Sequence, residues 1–377
     1  MSVSKNTIEN FIRQRLTNYS ANERPADVTI KVPVVVHLVY HLEEENIANE
    51  IIYKQIEALN RDYRRNNTDT SNTPAAFKSV AADCNIEFEL AKVDPSGRAT
   101  TGIVRNYSPI PVWYMDDKVK STTTYGAKAW DSRYYLNIWI CNLDDVLGYS
   151  SVPGDSPEND GVVLSFLAVN NLNDGGPYSM GRTAVHETGH WLGLFHLWGD
   201  VDCGDDKIAD TPKQTTYTPG CPGGVRVSCN NSVAGDMYMN FMDFTDDPCT
   251  NLFTKGQKDR MRVLFETNGP RQTILLSKAL GLPWTENIPL PDDEPQWFYP
   301  QLYPNPAKGF VQIDFRYDAR WIGKEISVVN TLGQVVHTQI ISSKIEKIII
   351  DKLIPGIYFI KGEKEGEKLS KKFIKVP

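Results

Sequence analysis

The 377-residue sequence predicts an α+β domain, a mixed twisted sheet with helices, followed by a small all-β sandwich. Three observations predict it. Up to residue 283, apolar β-branched runs alternate with segments of helical period. From residue 301 onward only short strands and turns recur. Charge breaks at the same place: residues 301–377 carry 13 Lys and Arg against 8 Asp and Glu, a net of +5, which leaves −12 for the first 300. The overall charge of −7 leaves no electrostatic footprint for nucleic acid, and no apolar run reaches the length of a membrane span.

In chain order, Ile8, Phe11, Ile12 and Leu16 mark a short amphipathic helix over 5–19, and 22–27 is a polar break. The first residues lack the basic start and apolar core of a signal peptide. The run from Lys31 to Leu42, KVPVVVHLVYHL, is too apolar for an edge and reads as a central strand. His37 and His41 lie on or just after it as core or rim residues, since neither completes a ligand motif. Ile51, Ile52, Ile56, Leu59 and Tyr63 then give a long helix ending near Arg65. Cys84–Ala91, Tyr135–Leu143 and Gly161–Val169 read as strands, with Thr100–Tyr107 as a further one.

The next helix carries the chemistry. Residues 186–196 contain H-E-x-x-H-x-x-G-x-x-H, formed by His186, Glu187, His190, Gly193 and His196, and it uses three of the chain's six histidines. Residues four apart share a helix face, so His186 and His190 can offer two imidazoles to one ion. Glu187 then reaches a metal-bound water rather than the metal. Gly193 can adopt the left-handed conformation that stops the helix and swings His196 back as a third ligand. Three protein ligands leave zinc a fourth position for water, the catalytic pattern. A strand running directly into such a helix, here Gly161–Val169 with the loop after it, is expected either to hold an extended substrate by strand addition or to be an ordinary sheet edge.

Beyond His196 the chain turns acidic and irregular. Asp200, Asp202, Asp205, Asp206 and Asp210 could furnish oxygen ligands for calcium, although their spacing is not that of an EF-hand. Cys203, Cys221, Cys229 and Cys249 cluster in this segment without a Cys-x-x-Cys, which points to disulfides and an oxidising compartment. Cys84 and Cys141, on separate strands, are free or form a third bridge. A methionine in a tight turn beneath the three histidines would complete the metzincin arrangement, and Met242 is the candidate, with Met237 and Met239 nearby. Thr254-Lys-Gly-Gln257 makes a capping box for the following helix.

At this point residues 30–278 resemble the catalytic domain of the pappalysin family of metzincin metalloproteases. The resemblance is carried by Val32–Tyr40, Tyr135–Leu143, Asp160–Phe166, Gly181–Gly199, Ile208–Pro212 and Asn240–Cys249 with the helix after it. It implies zinc held by His186, His190 and His196, Glu187 as general base and then general acid, and Met242 as the Met-turn residue. It also implies the pairs Cys203–Cys229 and Cys221–Cys249. Asp247 matches the acid that lies in the specificity pocket of relatives cutting before basic residues, so cleavage on the N-terminal side of Arg or Lys is expected. The chain departs from many relatives at Phe244, where a tyrosine hydroxyl would steady the tetrahedral intermediate. Weaker rather than absent activity is the expectation. Pro248 also replaces a small residue beside the cysteine.

Residues 284–300, rich in proline and acid, read as a linker. The strands that follow resemble the C-terminal sorting domain of the bacterial type IX secretion system. Tyr303-Pro-Asn-Pro306, Leu332-Gly333, Pro355-Gly-Ile-Tyr358 and the closing Lys-rich strand carry that likeness. The expected organisation is therefore 1–28, an N-terminal extension read as a pro-segment remnant; 29–283, the zinc protease; 284–300, a linker; and 301–377, the sorting sandwich. The expected protein is secreted or held at a bacterial outer surface, its signal peptide lying outside this numbering. Its partners would be protein or peptide substrates and the secretion machinery, with no nucleic acid. The rival reading is a zinc-binding but weakly active or inactive surface binding protein, opposed by the presence of Glu187.

Overall fold

The structure, a computed structural model, describes residues 5–21, 28–169, 175–231, 234–283, 300–315, 319–364 and 367–377. Nearly all of the expected linker and part of the loop ahead of the zinc-motif helix lie outside them. The chain divides into two units, one of residues 1–39, 47–104 and 110–286, the other of 40–46, 105–109 and 287–377.

The first unit opens with α1 (Lys5–Ala21), β1 (Ile30–Tyr40) and α2 (Asn49–Tyr63). Short α3 (Ala75–Lys78) and β2 (Ala81–Ala82) follow, then β3 (Ile86–Leu90), β4 (Ile103–Tyr107), β5 (Leu136–Cys141), β6 (Gly148–Ser150) and β7 (Val162–Ser165). The motif helix is α4 (Arg182–Trp191), and β8 (Phe253–Thr254) leads into α5 (Lys255–Val263). The main sheet runs β3-β1-β5-β7-β6, with β4 also paired to β1. β1 pairs β3 and β5 in parallel, and β5 pairs β7 in parallel. β1 is buried almost throughout, as its unbroken β-branched run requires of a strand covered on both faces.

One expectation is corrected here. β7, the strand expected to receive substrate, is not an edge: β6 pairs it antiparallel on its outer side, with Tyr149 opposite Val163. On this side the sheet ends, among the described residues, at β6. Three residues beginning with glycine are too few to show alternation, so the pairing had no local signature.

Core packing continues across the expected boundary at residue 29. Ile8 and Ile12 of α1 are buried in the same core as Val185, Trp191 and Leu192 around the motif helix. That apolar stripe was legible; what it packs on was not. His37 is buried on β1, bonded to Asn137 at 2.9 Å and stacked on Trp139, a core role that needs no ligand.

The second unit is a two-sheet sandwich. β9 (Gln301–Tyr303), β10 (Phe310–Asp314) and β13 (Ile345–Ile349) form one sheet in the order β13-β10-β9. β11 (Glu325–Asn330), β12 (Val335–Ile340), β14 (Gly356–Lys364) and β15 (Glu367–Lys375) form the other, ordered β12-β11-β14-β15. Val311, Ile313, Phe315, Trp321, Val328, Ile360 and Phe373 fill the space between them. No described helix is long and apolar enough to cross a membrane.

Candidate active site

Helix α4 is held from both ends. At its start Arg182 is buried and pairs with Asp62 and Asp69, while its backbone N–H donates to Asp247. At its end the chain leaves the helix after Trp191, and Gly193 takes φ +81°, the left-handed turn expected of it.

That turn brings the three histidines together. Nε2 of His190 lies 3.0 Å from Nε2 of His186 and 3.0 Å from Nε2 of His196. Each opposite nitrogen faces an oxygen: Nδ1 of His186 the carbonyl of Phe241 at 2.7 Å, Nδ1 of His190 the carbonyl of Leu194 at 2.9 Å, and Nδ1 of His196 the Asp200 carboxylate at 2.5 Å. Acceptors on every Nδ1 favour the tautomer that leaves three Nε2 lone pairs converging. Burial, then the neighbouring imidazoles, hold His186 well below the usual histidine range. Burial likewise lowers His190, to about 4, and His196. Neutral imidazoles converging on one point are the donor set a zinc ion takes, so the residues fit that metal.

Met242 lies beneath them. A Cβ added at Gly189, one residue before His190, would come within 2.5 Å of the Met242 sulfur, so the helix backbone and the methionine are in close approach. The turn is fastened by Asn240, whose Oδ1 accepts the Met242 N–H at 2.9 Å and whose amide exchanges hydrogen bonds with Gln257 at 2.8 and 3.0 Å. Gln257 also completes the capping box of α5 with Thr254. One glutamine thus ties the methionine turn to the helix start the sequence predicts.

The carboxyl of Glu187 makes no hydrogen bond among the described residues, and burial pushes it up to about 8. It lines a cleft of about 560 Å³ together with His186, Gly148, Tyr217, Phe244 and Asp247. Gly148 of edge strand β6 is pressed against it, since a Cβ there would meet Glu187 Cγ at 3.0 Å. The cleft is therefore lined by His186 and by the start of β6, whose outer side pairs with no strand among the described residues.

Asp247 also lines this cleft, nearly closed off from solvent. Its Oδ2 accepts the backbone N–H of Met180 at 2.9 Å and of Arg182 at 3.2 Å, whereas Oδ1 accepts no hydrogen bond among the described residues. The Arg182 guanidinium bonds the Asp247 carbonyl and two other aspartates, so the free carboxylate oxygen stays available. Phe244 is 43% exposed, its ring 4.8 Å from that of His196 and 5.5 Å from that of Tyr217.

Tyr217 and its loop were missed by the sequence reading. Buried Asp243 anchors that loop, accepting the Thr218 N–H at 2.7 Å and the Gln214 amide at 2.8 Å. A polar residue next to Met242 was the one available hint.

The disulfides are Cys203–Cys229 and Cys221–Cys249, and Cys84 and Cys141 are buried thiols outside these two bridges. The five aspartates expected to bind calcium do not converge: among the described residues no three of them bring carboxylate oxygens within 4.8 Å of one another. Asp200 serves His196, Asp206 bonds Thr211 and the Ile208 N–H, and Asp210 bonds Thr254 and the Gly256 N–H at the start of α5. Local bonding to hydroxyls and backbone N–H groups separates them.

Known proteins resemble this chain in both units. Residues 118–266 match the family described as pregnancy-associated plasma protein-A, and residues 301–376 match the secretion system C-terminal sorting domain. An extracellular metalloprotease of Aspergillus fumigatus is 30% identical over 254 residues, spanning 61% of this chain and 75% of the relative. One from Verticillium alfalfae is 29% identical over 255 residues, spanning 64% and 78%. Among solved structures, mature mirolysin of Tannerella forsythia in complex with a cleaved peptide is 47% identical, covering 68% of this chain and 98% of that one at a TM-score of 0.65. A promirolysin variant from the same organism is 45% identical, covering 72% and 93% at 0.66.

Proposed function

Because the chain belongs to the pappalysin family of metalloproteases, we propose that it is a secreted zinc endopeptidase cutting extended peptides on the N-terminal side of arginine or lysine. The observation that carries the reading is the convergence of three Nε2 atoms, those of His186 and His196 each 3.0 Å from that of His190, beside a glutamate that has no hydrogen-bond partner among the described residues, in an open cleft. His186, His190 and His196 would hold the zinc. When bound, the metal supplies Lewis acidity and an acidified water.

Everything else falls to the chain's own residues. Edge strand β6 offers main-chain groups to an extended peptide, which sets the scissile bond beside Glu187. Glu187 takes a proton from the attacking water and delivers it to the departing amine nitrogen. Its lack of a hydrogen-bond partner leaves it free to do both. The free Oδ1 of Asp247 pairs with a cationic side chain entering the cleft. The solved complex of mature mirolysin with a cleaved peptide supports a peptide as the substrate class. The test is incubation with a peptide library and mass-spectrometric mapping of the cuts: cleavage before Arg and Lys, lost on chelation, is expected, and cuts without that preference would remove the Asp247 assignment.

Burial pushes the Asp247 carboxyl up to about 6, against the Arg182 and Met180 N–H groups that lower it. Above that pH the group is a carboxylate and pairs with a cation; below it the group is neutral. Preference for lysine over norleucine, measured as the ratio of kcat/KM, should be full above pH 6 and shrink as pH falls through it. Asp247→Asn should lower kcat/KM for basic substrates roughly 10²-fold and flatten that profile.

Phe244 supports the expectation of modest turnover, because it brings an aromatic ring without a hydroxyl against His196. Phe244→Tyr should raise kcat about tenfold or more with little change in KM, as an added donor to the developing oxyanion would. Steady-state kinetics on one peptide checks it.

Calcium in the same unit would need main-chain oxygens besides Asp202 and Asp205, since Asp200, Asp206 and Asp210 are committed to His196, Thr211 and Thr254. The sorting domain at 301–376 and the extracellular relatives support export through a type IX machinery to the medium or the cell surface.

A further inference from the structure

We propose that Glu9, acting through Arg260, is a positioning residue for the metal centre, locking the turn that presents His196 and orients His190. The inference rests on the reading of the three histidines as metal ligands.

Arg260 of α5 is 2% exposed and uses its whole guanidinium. Its Nε donates to the carbonyl of Gly193 at 2.7 Å. Its two terminal nitrogens pair with the two carboxylate oxygens of Glu9, at 3.1 and 2.6 Å. Its central carbon lies 4.9 Å from the centre of the Phe195 ring. One cation therefore grips the residues on either side of Leu194.

Leu194 is where that grip meets the site, because its carbonyl holds Nδ1 of His190 at 2.9 Å, and His196 follows two residues later. Two of the three ligands depend on this short turn. Gly193 cannot stiffen it: it sits at φ +81° with no side chain, against Ile12 of α1. Backbone bonds close the turn, the Gly193 N–H to the His190 carbonyl at 2.8 Å and the Leu194 N–H to the Gly189 carbonyl at 2.9 Å, and Arg260 fastens it from outside the motif.

Glu9 decides whether Arg260 stays there. A buried guanidinium without its carboxylate partner is costly and moves toward solvent or another acid, releasing the Gly193 carbonyl. Lys207, 3.8 Å from Glu9 and 4.7 Å from the Phe195 ring centre, brings a second cation to the same carboxylate, so losing Glu9 leaves two neighbouring positive charges beside Phe195 without their shared partner. Outer partners of metal ligands typically change affinity about 10–100-fold. Glu9 stands one step further out, and an effect of about tenfold is expected.

The test measures zinc affinity of the full chain by competition with a chelator, for wild type, Glu9→Gln, Tyr19→Phe and His196→Ala. Tyr19 also fastens α1, through its hydroxyl bond to Glu266, without touching Arg260. Glu9→Gln should bind zinc about tenfold more weakly and release it faster. Tyr19→Phe should keep wild-type affinity, although the metal-free thermal midpoint of both variants falls. Unchanged affinity in Glu9→Gln overturns the inference, and so does an equal loss in both variants, which would make helix docking alone responsible. Failure of wild type to bind one zinc, or wild-type affinity in His196→Ala, instead removes the ligand assignment and the inference with it.

Discussion

Replacing Glu187 by glutamine lowers kcat by about 10³-fold or more while one zinc remains bound. The two properties separate because Glu187 points into the cleft beside the histidines and shares no hydrogen bond with them among the described residues. Glutamine keeps the volume against Gly148, so β6 is not displaced. What disappears is a group that can accept a proton from water and return it to the amine. On the proposed reading the strand edge and Asp247, rather than Glu187, hold the substrate, so KM should change little. Metal content per chain, measured beside kcat, distinguishes this from general damage. A variant retaining more than a tenth of wild-type turnover would mean that another group moves the proton.

The second large effect is loss of a ligand. His196→Ala should weaken zinc binding beyond the roughly 10–100-fold that an outer partner costs. Activity should vanish with it at any zinc concentration that leaves wild type saturated. The same variant reports on stability. A metal that binds only the folded chain stabilises it by about 2.7 kcal/mol at a free concentration of roughly 100 Kd. The zinc-induced rise in the thermal midpoint of wild type should therefore be absent in His196→Ala. Because His196 is on the rim and Asp200 beside it is largely exposed, the metal-free fold should tolerate the change better than it would at buried His186.

The sequence made the site legible where chemistry and local geometry coincide. His186 and His190 are one helical turn apart, and Gly193 can only mean a turn there. Thr254 and Gln257 form a capping box within four residues. The strands of the second unit were readable from alternation and turns, and the two sheets contain each of them. What stayed hidden depends on contacts distant in sequence. β6 is three residues long and acquires its meaning from pairing with β7. Tyr217 reaches the cleft because Asp243 anchors its loop. Glu9 reads as one more surface acid until α1 is seen packed on α5, with Arg260 251 residues away in sequence. The acidic run after His196 read as one cluster, yet each of three aspartates is taken by a different hydroxyl, backbone N–H or imidazole.

Titration of the chelated protein with zinc while following cleavage of a single lysine-containing peptide tests the central claim most directly. The account predicts no turnover without metal and a linear rise that saturates at one zinc per chain. Full turnover by the chelated protein, or one zinc bound tightly with no cleavage of any peptide, would contradict it.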